Sequence, residues 1–113
     1  MVHEMRLNDE PFQAIKDGTK TIEMRLYDEK RRMIQVGDVI RFTNRETSEE
    51  LFTKVIALHI FENFQILYAH FDKESLGYQK NDVALATDMN QYYSMEEQTK
   101  YGVVGIEIEV TTE

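Results

Sequence analysis

Cysteine and tryptophan are absent from the 113 residues, proline occurs once and glycine only five times. Without cysteine there is no disulfide framework, no thiolate zinc site and no cysteine nucleophile. His3, His59 and His70 are the only soft metal ligands left, and neither a metal nor a cofactor is expected. No stretch approaches 18 consecutive apolar residues, so no membrane partner is expected. The N-terminal MVHEMRLNDE has neither a basic nor an apolar leader segment, which points to a cytoplasmic protein unless a targeting segment preceded it. Gly-rich phosphate loops, G-x-S-x-G and H-E-x-x-H are also missing, which sets aside kinases, Rossmann enzymes, standard serine hydrolases and zincins.

Basic residues are in deficit: 13 Lys and Arg face 21 Asp and Glu, a formal charge of −8. Proteins that grip long duplex nucleic acid by counter-ion release carry the opposite charge on the binding face. The sum hides an asymmetry. Residues 1–45 carry nine basic and eight acidic side chains, whereas residues 46–113 carry four and thirteen. An anion-binding surface is therefore expected within the first 45 residues.

A chain of this length buries roughly two-thirds of the surface it exposes when unfolded, enough for one core and one cleft. Residues 1–113 are read as a single domain. His3, Met5 and Leu7 alternate with charged residues, the period of a strand over residues 2–7. Asn8, Asp9 and Glu10 precede Pro11 and an apolar stripe that Gly18 ends, giving a short helix over 9–17. Alternation returns over 20–26, with Ile22, Met24 and Leu26 on one face and Thr21, Glu23 and Arg25 on the other. A charged loop or one-turn helix, DEKRRMIQ, then leads through Val36-Gly37-Asp38 into a strand, VIRF. After the polar turn NRETSEE, the segment LFTKVIALHIFE has the β-branched and aromatic content of a central strand.

Asn63 caps a predicted helix to about residue 71, and a further helix is predicted over 82–93. Ser94 and Glu97 form a capping box for a short helix closed at Tyr101-Gly102. The last strand runs over 103–110, with Val104, Ile106, Ile108 and Val110 facing inward. Strands and helices do not alternate regularly, so the fold class expected is α+β, a small mixed β-barrel with helices packed around it.

The densest chemistry lies in Gly18-Thr19-Lys20-Thr21-Ile22-Glu23-Met24-Arg25. Glu23 and Arg25 stand two apart on one strand face, about 7 Å between Cα atoms, close enough to share a small ligand. An Arg fork can hold a phosphate or carbonyl, a carboxylate can accept from an exocyclic amine, and a desolvated Lys can serve as a base. From spacing alone, a solvated face in which Glu23 and Arg25 neutralise each other is the plainer reading. Lys30-Arg31-Arg32 would add phosphate contacts if that loop folds over the strand face, and is otherwise a solvated loop balanced by Asp28 and Glu29. His70 and Glu74 have the i, i+4 spacing for acid–base work if one helix carries both. His3 reads as a satisfied core histidine. Tyr78, Tyr92, Tyr93 and Tyr101 offer stacking surfaces, with core filling expected of at least half.

The series His3-x-Met5-x-Leu7, Pro11-Phe12-x-x-Ile15-x-x-Gly18-x-Lys20-Thr21-x-Glu23-x-Arg25, Gly37-Asp38-x-Ile40-x-Phe42, Tyr92-Tyr93-Ser94 and Lys100-Tyr101-Gly102-Val103-Val104-Gly105-Ile106 resembles the ASCH domain, a branch of the PUA-like superfamily. The resemblance runs over nearly the whole chain and is most specific in G-x-K-x-x-E-x-R. It implies a small barrel with a cleft beside that segment, and RNA or nucleoside binding with Lys20, Glu23 and Arg25 as cleft residues. Together with the basic loop and the tyrosines, this makes single-stranded RNA or a nucleoside the expected partner, with Arg31 and Tyr93 as further binding residues. One bacterial branch is similar to the N4-acetylcytidine amidohydrolases, which use a Lys, a Thr and a Glu. The resemblance carries these onto Lys20 and Glu74, while the Thr is replaced by Glu23 and leaves Thr21 as the neighbouring hydroxyl. Three functions thus follow from it: RNA or nucleoside binding first, hydrolysis of an acylated nucleoside second, and metal-independent RNA cleavage by Lys20 and Glu23 third. An interaction domain with a vestigial cleft is the fourth reading.

Overall fold

In the computed structural model, which describes residues 1–111, strand β1 (Val2–Leu7) leads into helix α1 (Asp9–Asp17), and strand β2 (Ile22–Leu26) into a short 3₁₀ turn (Arg31–Met33). Strands β3 (Val39–Asn44) and β4 (Glu50–Phe61) form a hairpin. Helix α2 (Phe64–His70), a 3₁₀ helix (Ala86–Gln91), helix α3 (Met95–Tyr101) and strand β5 (Val103–Val110) follow. The five strands form one sheet in the order β1-β3-β4-β5-β2. Only β1 and β3 run parallel, joined through a crossover that contains α1 and β2. All other pairs are antiparallel.

The two outermost strands, β1 and β2, come back toward each other, and Arg25 Nη2 donates to the Arg6 carbonyl across the gap at 3.3 Å. The sheet is therefore a curled half-barrel with an open seam between β1 and β2. A bulge in β4 at Val55/Ala57 supplies local bend and twist, which this curl needs.

Apolar side chains fill two layers. Inside the curl, Met5 and Leu7 of β1, Phe12 and Ile15 of α1, Ile40 and Phe42 of β3, and Val104, Ile106 and Ile108 of β5 pack together. On the outer face, Ile22 and Leu26 of β2 and Val103 of β5 pack against Phe64, Leu67, Leu76 and Met89. The sheet is thus covered on both sides where β2 and β5 pair. Gly105 marks a close approach between these layers: a Cβ there would stand 3.1 Å from Ile22 Cγ2 and 3.3 Å from the Phe71 ring.

Several expectations need correcting. The segment 82–93 is not one helix; only Ala86–Gln91 coils, as a 3₁₀ helix. The Asp82 carboxylate accepts from the Gln79 N–H in a separate turn before the coil, and the Asp88 carboxylate caps the start of the short coil at the Leu85 N–H. β2 starts at Ile22 rather than Lys20, because the Lys20 and Thr21 N–H groups bond the carbonyls of Ala14 and Ser75. Val110 is exposed because it lies beyond the point where β2 stops pairing at Glu107. His3 is satisfied as expected, with Nε2 2.8 Å from Asp38 Oδ2.

Candidate functional site

Strand β2 sets the site. Its alternation is as the sequence predicts, but neither face is solvated. Glu23 and Arg25 stand opposite Ile106 and Val104 in the ladder, so their side chains enter the mouth of the curl. Ile22 and Leu26 face the outer layer. Lys20 and Glu23 are each only 5% exposed, so the face is not solvated, although Glu23 and Arg25 do pair with each other.

Glu23 is held from both sides. Arg25 Nε donates to its Oε2 at 2.7 Å, and Lys20 Nζ stands 3.4 Å from its Oε1. Lys20 Nζ also donates to the carbonyls of Ile22 (2.7 Å) and Leu76 (2.9 Å). Three acceptors thus surround an ammonium that has three protons. Burial pushes the Lys20 ammonium down from its ordinary value, and the Glu23 carboxylate works against that push. Burial pushes the Glu23 carboxyl up, yet Lys20 and Arg25 outweigh it and hold the group below its ordinary range. For Arg25, burial disfavours the charge and Glu23 more than compensates, leaving it firmly cationic. The three side chains form a rigid array with one net positive charge.

The turn over residues 73–77 closes on this array. It supplies the Leu76 carbonyl to Lys20 and the Ser75 carbonyl to the N–H groups of Thr21 and Ile22. Gly77 is required at its end: its φ is +108°, and a Cβ there would lie 3.0 Å from Lys20 Cδ.

A cleft of about 540 Å³ opens at the β1/β2 seam, within the size range of small-ligand sites. Lys20, Glu23, Met24 and Arg25 form one wall, and Tyr68, Tyr78, Tyr92, Tyr93 and Met89 form another. Tyr78 donates to Asp88 Oδ2 at 2.7 Å and therefore receives the proton of Tyr68 Oη, also at 2.7 Å. Burial, followed by these bonds, raises the Tyr78 phenol far above its ordinary value, so it remains a donor. Tyr93 is also raised by burial, with Arg25 and Arg31 pulling it back. Arg6 and Arg45 stand exposed at the rim, as does Glu10.

Of the residues singled out from the sequence, Lys20, Glu23, Arg25, Tyr78, Tyr92 and Tyr93 line this cleft. Thr21 does not. Glu74 does not either: α2 ends at His70, the chain is extended at Phe71, and Glu74 is exposed on the following turn. The i, i+4 pair with His70 therefore does not form on one helix. Arg31 is committed to Asp28, with Nη1 3.0 Å from its Oδ2, and Arg32 donates to the Tyr101 carbonyl and covers the Tyr27 ring. Neither Arg31 nor Arg32 lines the cleft, although the Arg31 charge reaches Tyr93 at its wall. Tyr101 lies outside the cleft. Residue spacing does not single out Tyr68, Asp88 or Arg6, which also line the cleft. Tyr68 fitted the apolar stripe of α2, and nothing in spacing distinguishes a core tyrosine from one whose hydroxyl reaches a cleft.

No curated protein matches the chain. Among solved structures, the hypothetical protein PH0355 is 37% identical, with a TM-score of 0.83 over 98% of this chain and 100% of its own. Protein PF0455 from Pyrococcus furiosus is 38% identical, with a TM-score of 0.72 over 100% of both chains. The S128A mutant of ZmASCH from Zymomonas mobilis shares the fold at 14% identity, with a TM-score of 0.68 over 96% of this chain and 67% of its own. The family model for the ASCH domain matches residues 5–112. With that match over nearly its whole length, this chain belongs to the ASCH domain family.

Proposed function

We propose that this protein binds RNA by taking one unpaired nucleotide into the seam cleft. ASCH domains are in general RNA-binding, and the observation that carries the reading is the fixed Lys20–Glu23–Arg25 array facing a wall of tyrosines. Tyrosine faces stack on any base, at about 1–3 kcal/mol each. Arg25 uses Nε on Glu23 and Nη2 on Arg6 and stands beside the Tyr93 hydroxyl, so its guanidinium is oriented before a ligand arrives, at a place where a base carbonyl or a phosphate entering the cleft could accept from it. Single-stranded RNA offers such splayed bases, whereas a long duplex does not.

Hydrolysis of an acylated nucleoside is the second reading, supported by the burial that pushes Lys20 toward its neutral, basic form. Binding is preferred because three acceptors around Nζ favour the ammonium, which has no lone pair with which to accept a proton. RNA cleavage by Lys20 and Glu23 meets the same objection, and both oxygens of Glu23 already face cations.

Titration of short single-stranded RNAs and nucleoside monophosphates is the test. Wild type is expected to bind, and Arg25→Ala to bind at least tenfold more weakly, as loss of a charged hydrogen bond implies. Equal affinity in the folded variant contradicts the reading. Release of cytidine from N4-acetylcytidine, abolished in Lys20→Ala, would establish hydrolysis in its place. Metal-independent RNA loss sensitive to Glu23→Gln would establish cleavage.

A further inference from the structure

We infer that the main chain of Met24, on the unpaired edge of β2, reads the hydrogen-bonding edge of a nucleobase. The inference rests on the nucleobase-binding reading above and names the group that does the reading. In an antiparallel ladder, residues whose N–H and C=O point to the partner alternate with residues whose groups point away. Ile108 N–H donates to the Thr21 carbonyl, and Tyr27 N–H donates to the Gly102 carbonyl. With the register Glu23↔Ile106 and Arg25↔Val104, the odd-numbered residues of β2 bond β5. The even-numbered residues point off the sheet, because β2 is its last strand.

Ile22 bears this out. Its N–H donates to the Ser75 carbonyl and its own carbonyl accepts from Lys20 Nζ, so the turn covers that end of the edge. Met24 is the next residue on the edge, and it lines the cleft. Among the described residues no group outside the sheet ladder bonds its N–H or C=O. An exposed edge of this kind is normally covered or blunted. Here the cover stops one residue short, at the point where the cleft opens and the tyrosine wall stands nearby.

In an extended residue the N–H and C=O point the same way, giving a donor beside an acceptor. The Watson–Crick edge of every base presents the complementary pair: an acceptor for the Met24 N–H and a donor for its carbonyl. A base stacked on the tyrosine wall would bring that edge to the strand. The contact would select for a base with an unblocked edge rather than for one particular base.

Two measurements test this. Uridine and guanosine monophosphates are titrated against 3-methyluridine and 1-methylguanosine monophosphates, whose added methyl replaces the imino N–H beside the carbonyl acceptor and so blocks that donor–acceptor pair without adding charge. The methylated forms are expected to bind about tenfold more weakly, the scale of one net hydrogen bond. In parallel, amide hydrogen exchange at Met24 is followed with and without nucleotide. The Met24 amide is expected to exchange freely in the free protein and to slow on saturation, while Glu23 and Arg25 amides are slow in both. Met24→Pro removes the N–H without touching the β5 ladder, a placement that edge strands tolerate. It should weaken the unmethylated nucleotides about tenfold. If Met24→Pro does not fold, the methylation and exchange measurements still decide. Nucleotide binding that ignores the methyl group and leaves Met24 exchange unchanged overturns this inference and spares the nucleobase reading. Absence of binding by all four ribonucleoside monophosphates removes both.

Discussion

Glu23 is the residue on which the electrostatics of the cleft turn, because it is the only acid between Lys20 and Arg25 and all three are nearly out of water. Replacing it with Gln leaves two cations facing each other across a neutral amide. Breaking a buried pair in this way costs about 3–5 kcal/mol, so Glu23→Gln should lower the unfolding free energy by about 3 kcal/mol at neutral pH. The pH dependence has a definite sign. Glu23 is held below its ordinary value of 4.5, so between the folded and unfolded values the unfolded chain binds more protons. The stabilisation is complete above the unfolded value and drains away as pH falls through the folded one. Denaturant titrations of wild type and Glu23→Gln should therefore converge below pH 4.5; a gap that stays constant into acid would exclude the ion pair as its source. The positions of Lys20, Glu23 and Arg25 on one polar segment were legible in the sequence. Their burial was not, since alternation separates two faces of a strand without saying whether the polar one meets water or the interior of a curl.

Elements position these side chains through the turn over residues 73–77, which clamps Lys20 and covers the end of β2. Gly77→Ala would place a Cβ 3.0 Å from Lys20 Cδ on a backbone with φ of +108°. Strain at such a position is of order 1–3 kcal/mol. Thermal unfolding should show a loss of about 2 kcal/mol, together with weaker nucleotide binding as Lys20 shifts; an unchanged melting temperature would mean that the turn does not clamp the site. Elements with a local signature were readable: β1, α1 and β5 from their periods, β3 and β4 as separate strands from turn residues and β-branched content, and α3 from the capping box between Ser94 and Glu97. The turn and the 3₁₀ helix after it were not. Local backbone bonds turn the chain there, but bonds to other segments place it, Lys20 to Leu76 and Tyr78 to Asp88 among them, and such partners leave no local pattern. The same reason hid the cleft's second wall, which this segment and α2 supply.

At the scale of the whole molecule, a formal charge of −8 and a binding reading for RNA are compatible only if few phosphates are engaged. The cleft is itself close to neutral, with Arg6, Lys20, Arg25 and Arg45 set against Glu10, Glu23, Asp82 and Asp88. The basic loop, which would have added phosphate contacts, uses Arg31 on Asp28 and Arg32 on Tyr101. Affinity should then come from stacking and from oriented hydrogen bonds rather than from released counter-ions. Each phosphate neutralised on a single strand contributes a slope of about −0.7 to log K against log salt. One or two contacts predict that raising salt from about 50 to about 200 mM weakens binding only about three- to sevenfold, against about three-hundredfold or more for six to ten contacts. Lengthening the RNA beyond the few nucleotides that reach the seam should add little affinity at either salt concentration. A loss above a hundredfold, or affinity that keeps rising with RNA length, would mean that the strand tracks across Arg6, Arg45 and the surface beyond them, and that the seam cleft is not where most of the binding energy arises.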